Sequence, residues 1–205
     1  MGQYQEALSY YDRARAGSER VGIVAGVSYG WIGRASVLEA QGRADEAEEA
    51  VRRATAAEGQ MPEAHPVRLR QLAVEARVAA RRGRLPEAQR KITEVIELLS
   101  GRGLRHPALV AAYRIRADVS LARGDPAAAR ADAEKALALA EALRGPAAAS
   151  SHVGLASLAL GKALLAGGDR ARARQALEAA AANLAATEAE ESPDAVEARR
   201  LLAQP

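Results

Sequence analysis

The sequence contains no cysteine and no phenylalanine, one tryptophan, and aromatic residues at only 3%. Without cysteine there are no disulfides, no thiolate nucleophiles and no thiolate metal ligands. Extended runs of Val, Ile, Thr and Tyr are missing too. That excludes an all-β fold and argues against an α/β sheet, because pleated strands favour branched and aromatic side chains. No stretch approaches the roughly 18–20 uncharged apolar residues that a membrane span needs. The first residues show no basic-then-apolar leader, so the expected location is the cytoplasm. Lysine is scarce as well: of 29 basic residues only Lys91, Lys135 and Lys162 are lysines. Heavy use of Arg and Ala fits a GC-rich bacterial coding sequence.

Alanine is what the chain has in excess, 52 of 205 residues. It is the best helix former and the smallest apolar side chain. The length allows a substantial buried core. The composition therefore predicts an all-α protein whose helices approach closely over small side chains.

A repeat organises those helices. Gly2, Gly42, Gly83, Gly124 and Gly168 are separated by 40, 41, 41 and 44 residues, and each is followed five residues later by Ala7, Ala47, Ala88, Ala129 or Ala173. Nine after each glycine stand Tyr11, Val51, Ile92, Ala133 and Leu177; twelve after stand Ala14, Ala54, Val95, Ala136 and Ala180. Positions i, i+4 and i+7 share one helix face, so each glycine opens a helix with a small apolar stripe. A glycine at that point also ends the preceding helix, where a left-handed cap suits a residue without Cβ. Each glycine is thus the turn of a helical hairpin. Seven before the later four glycines stand Ala35, Ala76, Ala117 and Gly161, small enough for close helix approach. His65-Pro66, His106-Pro107, Gly145-Pro146 and Ser192-Pro193 mark the joints between hairpins.

The spacing predicts ten helices, at about 4–16, 23–41, 44–58, 66–82, 85–100, 107–123, 126–143, 147–166, 170–186 and 193–203. The chain opens inside the second helix of a pair, so the expectation is a fragment of something longer. Its first helix would present Tyr4, Tyr10 and Tyr11, and this half repeat would either form a homodimer or be covered by preceding sequence.

Chemistry is sparse. His65 and His106 occupy the same joint in successive repeats, eighteen residues before the turn glycine, which points to a structural use. No His-Glu-x-x-His pair exists, Gly161-Lys162 lacks the rest of a phosphate loop, and Ser150-Ser151-His152 has no nucleophile elbow. Glu46, Glu48 and Glu49 read as solvated helix charge. The chain is expected to be non-enzymatic, with no cofactor and no bound metal.

The repeat resembles the tetratricopeptide (TPR) family. Tyr4, Ala7, Tyr11 and Ala14 match its second helix, while Trp31, Ala35, Leu38, Gly42, Ala47 and Ala54 match a whole unit. Leu160-Gly161 with Leu164 matches a first-helix core. The near-41 period and the His-Pro joints are similar to kinesin-light-chain repeats of about 42 residues. The family's Leu position is occupied here by Arg34, Glu75 and Arg116. The resemblance implies a right-handed α-solenoid of stacked antiparallel helix pairs. It would be one array over 1–205, with a half repeat at 1–17, repeats at about 23–60, 66–101, 107–144 and 147–187, and a capping helix at 193–203.

It also implies that first helices line a concave groove for peptides. Carried over position by position, the groove would comprise Tyr29, Ile32, Ser36 and Glu39, then Arg70, Ala73, Arg77 and Arg81, then Ala111, Arg114 and Asp118, and finally Leu155, Leu158, Lys162 and Leu165. Arg70, Arg77 and Arg81 share one helix face. Residues 61–124 carry 13 basic and 6 acidic groups, against 7 and 9 in residues 1–60 and 9 and 11 in residues 125–205. A basic middle would attract an acidic segment or a C-terminal carboxylate through Arg contacts. The Asn-rich clamp of chaperone-binding members is not matched, since the single asparagine, Asn183, falls in a second helix. Net charge is only +3 and basic residues are not interleaved with aromatics, which argues against nucleic acid. A membrane helix is likewise not indicated. Two readings stay open: a scaffold for a peptide or protein segment, and a self-associating regulatory tail of a larger bacterial signalling protein, such as a serine/threonine kinase or transcription activator.

Overall fold

The computed structural model describes residues 2–57, 59, 61–62, 65–101, 106–146, 149–188 and 192–204. Within them run ten helices and no strand: α1 (Gly2–Arg20), α2 (Val24–Ala40), α3 (Ala44–Ala57), α4 (Pro66–Arg81), α5 (Leu85–Ser100), α6 (Pro107–Ala122), α7 (Pro126–Arg144), α8 (Ser151–Ala166), α9 (Arg170–Thr187) and α10 (Pro193–Leu202). The expected helices are all present. Residue 58, expected to end α3, and residues 147–148, expected to open α8, lie outside the described residues.

The turn glycines behave as the spacing requires. Gly42, Gly83, Gly124 and Gly168 have φ of 74°, 74°, 76° and 83°, in the left-handed region that glycine enters without a Cβ penalty. The next residue then reaches back: the backbone N–H groups of Arg43, Arg84, Asp125 and Asp169 each donate to a carbonyl five residues earlier at 2.9 Å. This satisfies carbonyls that the helix end would leave without partners.

The joints are capped by side chains. His65 Nδ1 accepts from the Val67 N–H at 3.2 Å, and His106 Nδ1 accepts from the Ala108 N–H at 3.0 Å. The following Pro66 and Pro107 open α4 and α6; proline holds the residue before it in extended backbone, the conformation an N-cap needs. Ser192 serves α10 in the same way. At Gly145-Pro146 the expectation needs correction. Proline does not open α8 there; the helix starts at Ser151 behind Ser150, whose hydroxyl accepts from Val153 N–H. Asn183 supports this joint by accepting from the Ser150 N–H at 3.0 Å.

The chain forms two compact units, Met1–Leu98 and Leu99–Pro205. In the first, α2 packs on α1, α3 and α4. Its core joins Leu8, Ile32, Ala35, Leu38, Ala47, Ala50 and Ala54 with Val74 and Val78. Gly33 lets α1 come close, because a Cβ there would stand 2.1 Å from the Tyr11 ring. In the second unit α8 packs on α7 and α9, and α10 closes against α9. Gly161 has the role of Gly33 there, its missing Cβ leaving room for Leu177. Ala129, Ala133, Ala136, Ala173 and Ala180 are fully buried. The stripe read from the repeat is thus the core of both units.

A polar rung crosses this core. Eight residues before the turn glycine, Glu75 meets Lys91 of α5, and Arg116 clasps Asp132 of α7 through two bonds of 2.7 and 2.8 Å. The two rungs share one register with opposite polarity. Arg34, at the same place in α2, turns instead to Asp12 of α1 at 2.8 Å. A charge stands at this place in α2, α4 and α6, and each has an opposite charge within reach. Charge so close to the core is tolerable only because both partners are present.

Candidate functional site

Within the first unit, Tyr29 and Glu39 of α2 lie beside Arg70, Arg77 and Arg81 of α4. The two helices are tied at one end by Ser28, whose hydroxyl donates to Gln71 Oε1 at 3.3 Å. Gln71 Nε2 then donates to Thr55 at 2.9 Å and to Glu75 at 3.0 Å, so this buried amide is satisfied on both sides.

At the other end, Arg81 Nε donates to Glu39 Oε1 at 2.9 Å, and Arg77 Nε lies 3.2 Å from Oε2. The three side chains differ sharply in exposure: 8% for Glu39, 37% for Arg77 and 63% for Arg81. The carboxylate is therefore desolvated while both guanidiniums keep water. Arg70 is held differently, with its guanidinium 4.9 Å from the Tyr29 ring centre and Nη2 donating to Tyr11 Oη at 3.2 Å. Tyr11 and Tyr29 meet edge to face at 5.8 Å, a geometry favoured by ring quadrupoles. Three fixed cations thus share one face with one carboxylate.

One residue expected on this face does not offer its side chain to a ligand. Ile32 is fully buried in the core beside Ala35 and Leu38. A helix turns about 100° per residue, so one step in register exchanges face for core. Ser36 turns its hydroxyl back to the Ile32 carbonyl at 3.0 Å.

In the second unit, Lys162 of α8 donates to Asp118 of α6 at 2.7 Å, and Glu197 of α10 stands 3.9 Å away. Burial works against the lysine's charge and Arg114 adds repulsion, but Asp118 and Glu197 outweigh both. The ammonium is held above the usual lysine range. These charges close on one another. Leu158 is buried, whereas Ala73, Ala111, Leu155 and Leu165 are half-buried. The two halves of the expected groove therefore differ: the first offers exposed cations, the second a neutralised cluster.

Sequence reasoning missed Tyr11, Lys91 and Asp132 as partners. For Lys91 and Asp132 a signal existed, since each stands eight residues after the turn glycine, opposite a charge eight before it. The described residues contain no cluster of three His, Asp or Glu able to hold a metal and no helix long and apolar enough to cross a membrane.

Comparison with known proteins agrees with this architecture. Residues 1–62 match the tetratricopeptide repeat family model. No curated protein matches the sequence. Among solved structures, BtubC (BKLC) from P. vanneervenii is similar over 97% of this chain and 81% of its own, with 17% identity and a TM-score of 0.74. The kinesin light chain TPR-like repeats of Podosopora anserina are similar at 23% identity, covering 93% of this chain and 90% of theirs, with a TM-score of 0.61. A variant of the same repeats covers 91% and 89%, also at 23% identity, with a TM-score of 0.65. The fold is that of the kinesin-light-chain-like TPR repeats, an all-α helical-repeat fold.

Proposed function

We propose that this tetratricopeptide-repeat protein is a scaffold that holds an acidic segment of a partner protein against the α2/α4 face of its first unit. The observation that carries the reading is the row Arg70, Arg77 and Arg81 along α4, met among the described residues by the carboxylate of Glu39. Eleven helical residues rise about 16 Å, so carboxylates spread over a short segment would meet the row. Arg70 is preorganised on Tyr29, which lowers the ordering cost of using it. Arg81 is exposed and sets the attraction at the open end.

The test is binding of a labelled acidic peptide followed by fluorescence anisotropy. Arg81→Glu should weaken it by roughly tenfold or more and flatten its salt dependence, as removal of an interface charge does. Unchanged affinity would remove this face from consideration. Folding of the variant is checked by circular dichroism, because Arg81 is also the guanidinium that donates to the buried Glu39 carboxylate.

A second reading, self-association of a regulatory tail, is favoured by a different observation. Tyr10 on α1, Val21 and Ile23 in the turn after it, and Val24 at the start of α2 are exposed large hydrophobics. If they mediate association, Val21→Asp with Ile23→Asp should reduce the mass measured by light scattering. A monomeric wild-type chain would exclude this reading.

A further inference from the structure

Glu39 stands where a carboxylate is least favoured. It is buried, and it lies in the last turn of α2, where the helix dipole presents its negative end. Two guanidiniums from α4 compensate it, one at each carboxylate oxygen. Arg81 donates from Nε, whereas Arg77 meets its oxygen as an ion pair with its own Nε buried and not hydrogen-bonded; a guanidinium has further donors on its two terminal nitrogens. The pairing is also asymmetric in solvation, because the cations remain substantially exposed while the anion does not.

We infer that Glu39 is a resident competitor for the acidic segment, occupying the two arginines that an incoming carboxylate would use. This rests on the acid-binding reading of the α2/α4 face and adds its selectivity. A lone carboxylate meets Arg77 and Arg81 already shared with Glu39 and gains little. A segment with several carboxylates in succession adds contacts at Arg70 and at the free arginine donors, and holds. The face therefore discriminates by density of acidic charge.

The experiment compares wild type, Glu39→Gln and Glu39→Gln/Arg81→Gln in anisotropy titrations with fluorescein-labelled hexaglutamate and diglutamate, with folding checked by circular dichroism. Glu39→Gln should tighten hexaglutamate binding about fivefold or more, the lower range of couplings between sites. It should tighten diglutamate more, narrowing the preference, and the double variant should lose the gain. If the amide variant does not fold, Glu39→Asp withdraws the carboxylate by one methylene and should move affinity the same way by less. Hexaglutamate binding in wild type that Glu39→Gln leaves unchanged or weakens overturns the inference alone. Absence of hexaglutamate binding in every folded variant overturns the acid-binding reading and the inference with it.

Discussion

The two units share one hairpin skeleton and differ in what is laid over it. In the first, α2 is tied to α4 by Ser28–Gln71 and Arg77/Arg81–Glu39, while Trp31 lies beneath the guanidiniums of Arg15 and Arg53. In the second, leucine and alanine do most of the joining. Val153, Leu158, Leu160, Leu164, Leu177 and Leu184 are all buried around α8 and α9. The repeat fixes which positions face inward, but leaves open whether a position is filled by charge or hydrocarbon. The difference has a functional side: the first unit keeps exposed cations, whereas Lys162 and Asp118 cancel in the second.

The rungs give the sharpest way to break that comparison. Glu75→Lys sets two cations together in a nearly dry site and should cost about 3–5 kcal/mol in denaturant unfolding. Adding Lys91→Glu should recover part of the loss, since it restores the ion pair in the polarity that Arg116 and Asp132 have but not the hydrogen bond that Glu75 accepts from Gln71. Failure to recover would mean that the rungs are not equivalent.

A smaller effect is expected at the close approaches. Gly161→Ala gains up to about 1 kcal/mol in helix propensity. Its Cβ, however, would stand 2.6 Å from Leu177 Cγ, and overpacking of this kind costs about 1–3 kcal/mol. Net destabilisation is expected from melting curves; net stabilisation would show that α8 and α9 are not in tight contact. Gly33→Ala should act likewise in the first unit, and should also displace Tyr11 from Arg70, which tyrosine fluorescence would register.

The histidine caps should matter less and alike in both units. His65→Ala and His106→Ala are each expected to cost about 0.5–2 kcal/mol, while the Asn variants keep an acceptor and most of the stability. An Asn variant no better than Ala in urea unfolding would remove the capping role.

Smallest is the response to pH, and here the units part again. Hydrogen bonds from Arg43 to Glu46, and from Arg53 and Arg52 to Glu49, hold both carboxyl groups below the usual glutamate range. Their contribution is present above the unfolded value and fades as pH falls through the lowered folded one. Lys162 is raised, so its contribution is present below the ordinary lysine value and fades as pH rises through the folded one. Glu46→Gln/Glu49→Gln should flatten the acid limb of a stability titration and Lys162→Met the alkaline limb. A curve unchanged in both variants would contradict these assignments.

The helices, their hairpin turns and the buried alanine stripe were legible in the sequence because their causes are local. A 3.6-residue period marks one face, glycine marks the left-handed turn, and a residue before proline marks the joint. Even the structural use of His65 and His106 followed from their recurrence. The pairing of Arg77 and Arg81 with Glu39 was not legible, because it spans about one full repeat and depends on side chains meeting across two helices. Ile32 is placed on the face by the family resemblance and lies in the core for a related reason: a position carried over from a family pattern is good to about one residue, and only packing with Leu8, Ala35 and Leu38 chooses the side. Order along each helix was written in the chain itself. Which charges are spent inside the molecule, and which remain for a partner, was decided only when the helices came together, since that depends on distance and dehydration rather than on succession.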